Sequence, residues 1–354
     1  MTKAVTYRVL GVMSGTSLDG IDLAVVKFFK KNHWTFKIEA AQTLTYPEHW
    51  VCSLKNAHRL AKEELQVFNK SYTHFLAQQI DEFLLNNNST KIDFIASHGH
   101  TVLHQPQAGI SLQIGNLPEL SRLTKHKLVC DFRTQDVALG GQGAPLVPIG
   151  DRLLFGNYDY CLNLGGFSNL SFEHKQQRIA YDVCPFNTVL NRYAEKLGYP
   201  YDYGGVLASC GHVHKGLLEA LNALAYYDQK PPKSLGIEWV QQEIFPLIDS
   251  YSINTLSKIA TFTEHAAQQI ASAFTENKTK TLCTGGGVYN EFFIERLKVH
   301  SKTSIEIPDK LLIDFKEAVV FAFLGVLKIR NEINCLASVT GAQKDHVSGV
   351  VFCP

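Results

Sequence analysis

A turn rich in glycine and hydroxyl side chains follows the first predicted strand, in the stretch GVMSGTSLDGID (residues 11–22). Glycine lets backbone N–H groups approach an oxyanion closely, and the hydroxyls of Ser14, Thr16 and Ser17 can add further donors. No lysine follows the glycines, so the stretch differs from the GxxxxGK[ST] phosphate loop. Taken alone, it is equally compatible with a phosphate-binding turn and with an ordinary polar hairpin.

Two further glycine turns repeat this arrangement later in the chain. NLGGFSNLS (163–171) again places glycines and hydroxyls between strand-like runs, and TGGGVYN (284–290) places glycines between a strand and a helix. Paired hairpins that hold phosphates are typical of actin-like and hexokinase-like ATPases, so the second copy favours phosphate binding. The third turn suits a close approach to adenine or ribose beside a helix N-terminus, although alone it is more typical of a simple connection.

A single carboxylate is the best candidate for acid–base chemistry. Asp182 lies at the end of a predicted strand in AYDVCPFN (180–187), just before Pro185 leads into a helix. A rigid position at a strand end suits a general base. A capping or turn role is nevertheless the commoner one for an aspartate in this position.

A long polar loop separates the two halves of the sequence. DFRTQDVALGGQGAPLVPIGDRLLF (131–155) places Arg133, Asp136 and Gln142 among several glycines, between apolar runs. This composition predicts a loop that lines a substrate site, and the same loop can also serve as a linker.

Three histidines lie close together in SHGHTVLHQP (97–106), at positions 98, 100 and 104. The HxH spacing is compatible with zinc, but no acidic or cysteine partner lies nearby in the sequence. We therefore expect His98, His100 and His104 to hydrogen-bond a polar substrate rather than to hold a metal.

The elements that must position these residues form two similar sets. Strand-like runs flank the first glycine turn (7–15 and 21–29), and the run 158–173 repeats the layout of strand, turn and strand. Apolar residues at helical spacing predict a helix over 60–85, and 316–334 predicts a strongly apolar final helix. The pattern predicts two α/β halves with mixed sheets and a ligand crevice between them.

Composition excludes several classes of protein. The chain has 354 residues, which favours two domains, and its 34 Lys and Arg nearly balance 33 Asp and Glu, which argues against a nucleic-acid partner. It contains no export signal and no apolar run long enough to span a membrane. The 8 cysteines form no CxxC pair. We therefore expect free thiols and a cytoplasmic protein with no membrane partner.

The motifs together resemble a known family over nearly the whole chain. GVMSGTSLDGID, SHGHT, LQIGN, DFRTQDVALGGQGAPLVP, NLGGFSNLS, YDVCPFN, TGGGVYN and KEAVVFAFLG occur in the order seen in anhydro-N-acetylmuramic acid kinases. The MSGTSLDG and DVALGGQGAPLVP stretches are the most specific. The resemblance implies an α/β protein of the actin-like (ribonuclease H-like) ATPase fold. It also implies two lobes around a central cleft, the first made of 1–150 with 316–354 and the second of 151–315.

The resemblance also implies a reaction. Enzymes of this family are transferases that use ATP, Mg²⁺ and water to convert 1,6-anhydro-N-acetylmuramic acid, a cell-wall recycling sugar, to N-acetylmuramic acid 6-phosphate. The sugar's 6-oxygen is tied to C1 in an ether, so water must attack C1 while the 6-oxygen accepts the γ-phosphoryl group. A carboxylate is then needed to activate water, as in an inverting glycosidase, together with clamps on the phosphates.

Match to the family's motifs implies roles for particular residues. Asp182 would activate the water and Glu317 would help position it. Asp19 or Asp22 would hold Mg²⁺ through water. The phosphate and nucleoside loops would comprise Gly15, Thr16, Ser17, Leu18, Asp19, Gly20, Ile21, Asp22, Gly165, Gly166, Gly285 and Gly286. The sugar would contact His98, Thr101, Arg133 and Gln142. A homodimer is compatible with the resemblance.

Two stretches depart from the family pattern. Where the family has D-T-G-P-G-N, this chain has DVCPFN, and the bulk of Phe186 would narrow the cleft or displace its backbone. His100 replaces the more usual glutamine. These departures leave open a non-catalytic or altered-specificity actin-fold sensor of ATP or sugar. An exopolyphosphatase-like hydrolase is a third possibility, which the sugar-specific loop at 131–148 argues against.

Overall fold

The structure is a computed structural model that describes residues 5–15, 17–274 and 279–354. The chain divides into two compact units, which are Met1–Leu154 with Phe315–Pro354 and Phe155–Asp314. We call them the first and second unit.

Strands form one sheet in each unit. Within the described residues they are, in chain order, β1 (Val5–Ser14), β2 (Ile21–Lys30), β3 (Trp34–Leu44), β4 (Phe94–Gln105), β5 (Ile110–Ile114), β6 (Leu128–Cys130), β7 (Tyr160–Leu164), β8 (Phe167–His174), β9 (Gln177–Pro185), β10 (Lys280–Thr284), β11 (Ser304–Glu306) and β12 (Val350–Phe352). The first sheet has the order β12-β6-β4-β1-β2-β3 with β5 beside β4, and the second has the order β11-β10-β7-β8-β9.

The two sheets share one topology. In the first, β1, β2 and β3 run antiparallel, and β1 also pairs in parallel with β4, which pairs in parallel with β6. In the second, β7, β8 and β9 run antiparallel, and β7 pairs in parallel with β10, which pairs in parallel with β11. This duplication confirms the predicted α/β class with mixed sheets, in which a glycine-hinged hairpin opens each half.

Helices connect the strands and cover the sheets. The α-helices are, in chain order, α1 (Glu48–Asn56), α2 (Lys62–Asn86), α3 (Pro118–Thr124), α4 (Thr134–Ala138), α5 (Pro148–Leu154), α6 (Asn187–Glu195), α7 (Val206–Ser209), α8 (Lys215–Asn222), α9 (Ile237–Trp239), α10 (Phe245–Asp249), α11 (Thr255–Ser272), α12 (Glu291–His300), α13 (Lys310–Ile329) and α14 (Ala337–Thr340). No helix of the described ranges is both long and apolar enough to cross a membrane.

Both faces of the first sheet are buried. Neighbouring residues of one strand enter different cores, because successive side chains of a strand point to opposite faces. Val9 packs in a cluster with Phe321 and other residues of α13, whereas Leu10 packs in a cluster with Leu76 and other residues of α2. The buried positions of α2 recur at helical spacing, which confirms the helix predicted over 60–85.

Helix α13 packs directly on β1 at a glycine. A Cβ atom added at Gly11 would stand 2.1 Å from the main-chain oxygen of Ala318, which neither backbone could accommodate. The helix residues from Ala318 to Leu327 are almost entirely buried. Gly11 therefore sets how closely this helix approaches the strand that leads to the first glycine turn.

Replacement of this glycine tests the close approach. We expect Gly11→Ala to lower the free energy of unfolding by about 1–3 kcal/mol or more, because an overpacked core must shift backbone. Gly216→Ala is the matched control, since a Cβ there meets its nearest atom at 3.4 Å on helix α8. It should be neutral or stabilising by about 0.5–1 kcal/mol. Equal stabilities of the two variants in urea unfolding would contradict the packing argument.

Candidate active site

The first glycine turn joins β1 to β2 in the first unit. Leu18 has a φ of 63°, and its N–H donates to the carbonyl of Gly15 over 3.4 Å. Gly20 packs so closely on β3 that a Cβ would lie 2.5 Å from the Leu44 carbonyl oxygen. Ser17 and Asp19 are exposed. Ile21 is fully buried, and Thr16 lies outside the described residues.

Acidic side chains of the first unit lie near the start of β2. The Thr43 hydroxyl donates to Oδ1 of Asp22 over 2.6 Å and orients this carboxylate. Glu317, on α13, is exposed, yet the surrounding protein displaces water from around its carboxyl and raises its pKa. Arg133 lowers this pKa and Asp22 raises it. Asp22, Arg133 and Glu317 therefore interact electrostatically within one unit.

The buried His98 and the partly buried Arg133 form a hydrogen-bonded pair. His98 Nδ1 donates to the Gly99 carbonyl over 2.8 Å, and its Nε2 accepts from Arg133 Nε over 3.0 Å. Burial lowers the pKa of His98 well below its usual value, so the ring is neutral and can act as this acceptor. A second guanidinium nitrogen of Arg133 donates to the Gly143 carbonyl. Arg133 is thus fixed between a strand and the long polar loop.

His100 belongs to a separate buried cluster. A bulge sets Met13 of β1 opposite both His98 and Gly99 of β4, and Gly99 adopts a φ of 74°. His98 then packs on Phe321 of α13, whereas His100 contacts residues on the α2 side. The two imidazoles therefore lie against different neighbours, His98 against α13 and His100 against α2.

The cluster around His100 supports the end of β1. The Ser14 hydroxyl lies 2.8 Å from His100 Nδ1 and 2.7 Å from the Tyr46 hydroxyl, which lies 2.5 Å from the Tyr72 hydroxyl. All four side chains are buried, and burial lowers the pKa of His100 to about 4. Nothing local in the sequence pointed to the two tyrosines as partners of Ser14.

The remaining predicted sugar residues lie on the same unit. Gln142 is exposed, with its N–H bonded to the Thr340 carbonyl and its side-chain oxygen 3.3 Å from Gln107 Nε2. Thr101 Oγ1 accepts from Gln113 Nε2 over 3.4 Å. These contacts leave Gln142 at the surface of the loop that also carries Arg133.

Asp182 lies on β9 of the second unit, three residues before the strand ends. The pairing of β8 with β9 shifts between Asp182 and Cys184, so that Val183 forms a bulge and the direction of Asp182 changes. Asp182 Oδ2 accepts from the Leu235 N–H over 2.9 Å. Burial raises the pKa of Asp182, and this backbone bond lowers it.

A segment distant in sequence holds Asp182 in place. The Tyr226 hydroxyl donates to the Asp182 carbonyl over 2.5 Å, and the Asp182 N–H donates to the Lys233 carbonyl over 3.3 Å. Lys233 Nζ in turn donates to the Tyr226 carbonyl. Sequence reasoning missed Tyr226, Lys233 and Leu235, because no periodic or motif signal links them to Asp182.

Phe186 corrects one expectation. Its side chain is fully buried in the core of the second unit and packs on Phe293, with ring centroids 4.4 Å apart. Its φ is −136°, so the position lacks the positive φ that favours glycine. A Cβ at Gly287 would stand 2.4 Å from the Phe186 ring, so the missing side chain of Gly287 makes room for it. The bulk of DVCPFN fills the core instead of narrowing a cleft.

The second and third glycine turns meet in the second unit. A Cβ at Gly285, which has a φ of 86°, would stand 2.7 Å from Asn163 Oδ1 and 2.8 Å from the Leu164 carbonyl oxygen. The carbonyls of Gly165 and Gly166 accept from N–H groups at the start of α6. Gly286, in contrast, has no positive φ and no atom within 4 Å of an added Cβ. None of the described residues of the second unit therefore requires glycine at that position.

Comparison with known proteins agrees with these motifs. A family model described as anhydro-N-acetylmuramic acid kinase matches residues 7–354. The anhydro-N-acetylmuramic acid kinase of Pseudomonas savastanoi pv. phaseolicola is 33% identical over 97% of this chain and 98% of that protein. The one of Francisella tularensis subsp. novicida is 35% identical over 97% of each chain. A solved structure, component A of the Acidaminococcus fermentans (R)-2-hydroxyglutaryl-CoA dehydratase, aligns with a TM-score of 0.46 and 13% identity over 89% of this chain and 96% of that chain. The family matches confirm the predicted resemblance and the predicted class of sugar kinase.

The pH dependence of stability tests the cluster around His100. Because the folded state holds this imidazole neutral down to about pH 4, the unfolded chain binds a proton that the folded chain does not. Stability is therefore expected to fall as the pH decreases from about 6.5 towards 4. His100→Gln keeps a polar partner for Ser14 but cannot titrate, so its stability should fall less over this range in urea unfolding.

Ser17→Ala is the control for this measurement, because Ser17 is exposed and lies outside the cluster. It should follow the pH profile of the unmodified chain. If His100→Gln retains the full acid dependence, His100 does not contribute the proposed linkage.

Proposed function

Because the chain belongs to the anhydro-N-acetylmuramic acid kinase family, we propose that it converts 1,6-anhydro-N-acetylmuramic acid, ATP and water to N-acetylmuramic acid 6-phosphate and ADP. The observation that carries this proposal is the environment of Asp182. One of its carboxylate oxygens accepts a backbone N–H, and its pKa is raised by burial. These are the properties of a positioned general base.

Asp182 would take a proton from the water that attacks C1. The Leu235 N–H engages Oδ2, and Tyr226 fixes the main chain, so the carboxylate keeps one orientation. Oδ1 would then be the atom that accepts the proton. A base with a raised pKa accepts a proton more readily, and a base of this kind contributes typically about 10²–10⁴ in rate. As the C1–O6 bond breaks, the 6-oxygen takes its electron pair and accepts the γ-phosphoryl group.

Glu317 and Arg133 would act on the sugar and the water. Arg133 is held by His98 and by the Gly143 carbonyl. Its charge lowers the pKa of Glu317, whereas desolvation raises that pKa. The opposed effects keep Glu317 available to accept a hydrogen bond from water. Thr101 and Gln142 would complete the contacts to the polar groups of the sugar.

Glycine turns would receive the nucleotide. At Gly20 and Gly285 close packing within each unit already explains the glycine, whereas at Gly286 only a ligand would benefit from the missing side chain. Gly15, Gly165 and Gly166 would present backbone to the phosphates, with Thr16, Ser17 and Leu18 in the same turn as Gly15.

The carboxylates of Asp19 and Asp22 would hold Mg²⁺ through water. Their oxygen atoms suit a hard cation, and the bond from Thr43 keeps the Asp22 carboxylate oriented. When bound, this ion would neutralise charge on the phosphates. Asp22 also raises the pKa of Glu317, so a cation at this position would stabilise the ionised form of Glu317.

We place the protein in the cytoplasm, where ATP is available. All 8 of its cysteines are free, and 5 of them are buried, which suits a reducing compartment. The alternative of a non-catalytic or altered-specificity sensor rests on the altered DVCPFN stretch. Phe186 of that stretch lies in the core of the second unit, so its bulk does not argue against catalysis, and the enzyme is the function we propose.

Replacement of the proposed base tests the reaction. Asp182→Asn should reduce formation of N-acetylmuramic acid 6-phosphate by at least about 10²-fold while nucleotide binding, measured by calorimetry, changes little. With the unmodified chain in ¹⁸O-water, mass spectrometry should find the label at C1. Asp228→Asn, at an exposed aspartate, should keep full turnover. Near-normal turnover of Asp182→Asn, or label in the phosphate only, would exclude the proposed mechanism.

Activity and stability should change with pH in opposite directions. Asp182 must be ionised to act, so kcat/KM should decrease with falling pH through a pKa above the usual 3.8. The same raised pKa means that ionisation weakens the fold, so Asp182 lowers stability as the pH rises through that value. Asp182→Asn should therefore unfold at a higher temperature than the unmodified chain at neutral pH. A lower unfolding temperature would show that its ionised carboxylate is stabilising instead.

A further inference from the structure

A second cluster of ligand-type side chains lies in the first unit. It consists of Asp136, Cys335 and His346, which we call the Asp136 cluster. A carboxylate oxygen, the Sγ and an imidazole nitrogen of these residues all lie within 4.8 Å of one another. The residues are buried, with exposed fractions of 0%, 1% and 6%. They join the loop that carries Arg133 to the C-terminal segment.

His346 presents a lone pair to the cluster. Its Nδ1 lies 3.1 Å from the Lys344 carbonyl oxygen, which is an acceptor, so Nδ1 carries the proton. In the neutral ring Nε2 is then an acceptor as well. This buried Nε2 has no hydrogen-bond partner among the described residues, and it faces Oδ1 of Asp136 across 3.6 Å. Two acceptors that face each other require a cation between them.

The separation of these two atoms favours a metal ion over a proton. His346 Nε2 and Asp136 Oδ1 are 3.6 Å apart. A charged N–H···O bond would bring them to about 2.7–2.9 Å. Two ligands of one tetrahedral Zn²⁺, each roughly 2.0–2.2 Å from the ion, stand roughly 3.3–3.6 Å apart. The observed spacing matches the second arrangement.

The surroundings also suit a metal centre. Asp136 Oδ2 accepts the Gly143 N–H and its Oδ1 accepts the Thr340 hydroxyl, each over 2.7 Å. A ligating carboxylate is usually hydrogen-bonded in this way, and a ligating histidine usually donates its other N–H to a carbonyl or carboxylate. The cluster therefore has a preformed outer layer of hydrogen bonds.

We propose that the Asp136 cluster binds a zinc ion through Asp136 Oδ1, Cys335 Sγ and His346 Nε2. The combination of oxygen, sulfur and nitrogen ligands is typical of Zn²⁺ and unsuited to Mg²⁺. Binding would displace the Cys335 thiol proton to solvent and form the zinc–thiolate bond without any change of oxidation state. The ion would neutralise the buried carboxylate.

The consequence of this site is structural support for the proposed sugar loop. Asp136 lies in α4, a helix that begins directly after Arg133. The Asp136 carboxylate also accepts the N–H of Gly143, the residue next to Gln142. Zinc would tie this loop to the segment from Cys335 to His346, which pair as an isolated β-bridge. The ion would therefore hold Arg133 and Gln142 in place and take no part in the reaction.

The test is the metal content and the metal affinity of the full chain. Protein purified without chelators should contain an equimolar amount of zinc by inductively coupled plasma mass spectrometry. After zinc is removed, added CoCl₂ should give the near-ultraviolet band of a cobalt–thiolate bond, and added ZnCl₂ should raise the unfolding temperature. Cys335→Ser should lose the band, and His346→Gln should lose most of the bound metal.

Cys353→Ser is the matched control, because it removes an exposed thiol outside the cluster and should keep both the zinc and the band. Absence of zinc from the unmodified chain, with no cobalt–thiolate band and no stabilisation by ZnCl₂, would overturn the proposal. The measurement on the unmodified chain decides the matter even if a variant fails to fold.

Discussion

The close approach of helix α13 to strand β1 is the contact on which the first unit depends. Gly11 has no side chain, so the helix backbone at Ala318 lies directly against the strand. The residue before Ala318 is Glu317, and the strand leads into the first glycine turn. A single packing constraint in the core therefore helps to fix Glu317 relative to Asp22 and Arg133. Desolvation raises the pKa of Glu317, Arg133 lowers it and Asp22 raises it further.

In the second unit, too, the missing side chain of a glycine makes room for close packing. Phe186 occupies the volume that Gly287 leaves free, and it packs on Phe293 at the start of α12. The turn that carries Gly285 is thereby held against the end of β7, while the strand that ends at Pro185 presents Asp182. Core packing and the placement of polar groups are thus coupled in both units, because loop glycines serve close packing as well as ligand approach.

Local patterns predicted the elements well, because hairpins, helices and strands follow from the order of neighbouring residues. The hairpins around the glycine turns, the helix α2 and the strand of Asp182 all form as predicted. Contacts between distant segments could not be predicted in this way. Tyr226 and Leu235 contact Asp182 although they lie 44 and 53 residues away in the sequence. The bulge at Gly99 likewise separates His98 from His100, which are only two residues apart. The roles of the site residues and the division into lobes stay predictions.

Two buried histidines of this chain, His98 and His265, have complementary hydrogen-bond partners, and His346 does not. His98 donates to a carbonyl and accepts from a guanidinium, and His265 lies between the Asn222 side-chain oxygen and the Tyr227 hydroxyl. Each neutral ring thus has one acceptor and one donor as partners, which burial demands. At His346 both partners are acceptors, the Lys344 carbonyl and the Asp136 carboxylate. Two acceptors that face each other need a positive charge between them, and the nearby Cys335 sulfur makes a metal ion the better match than a proton.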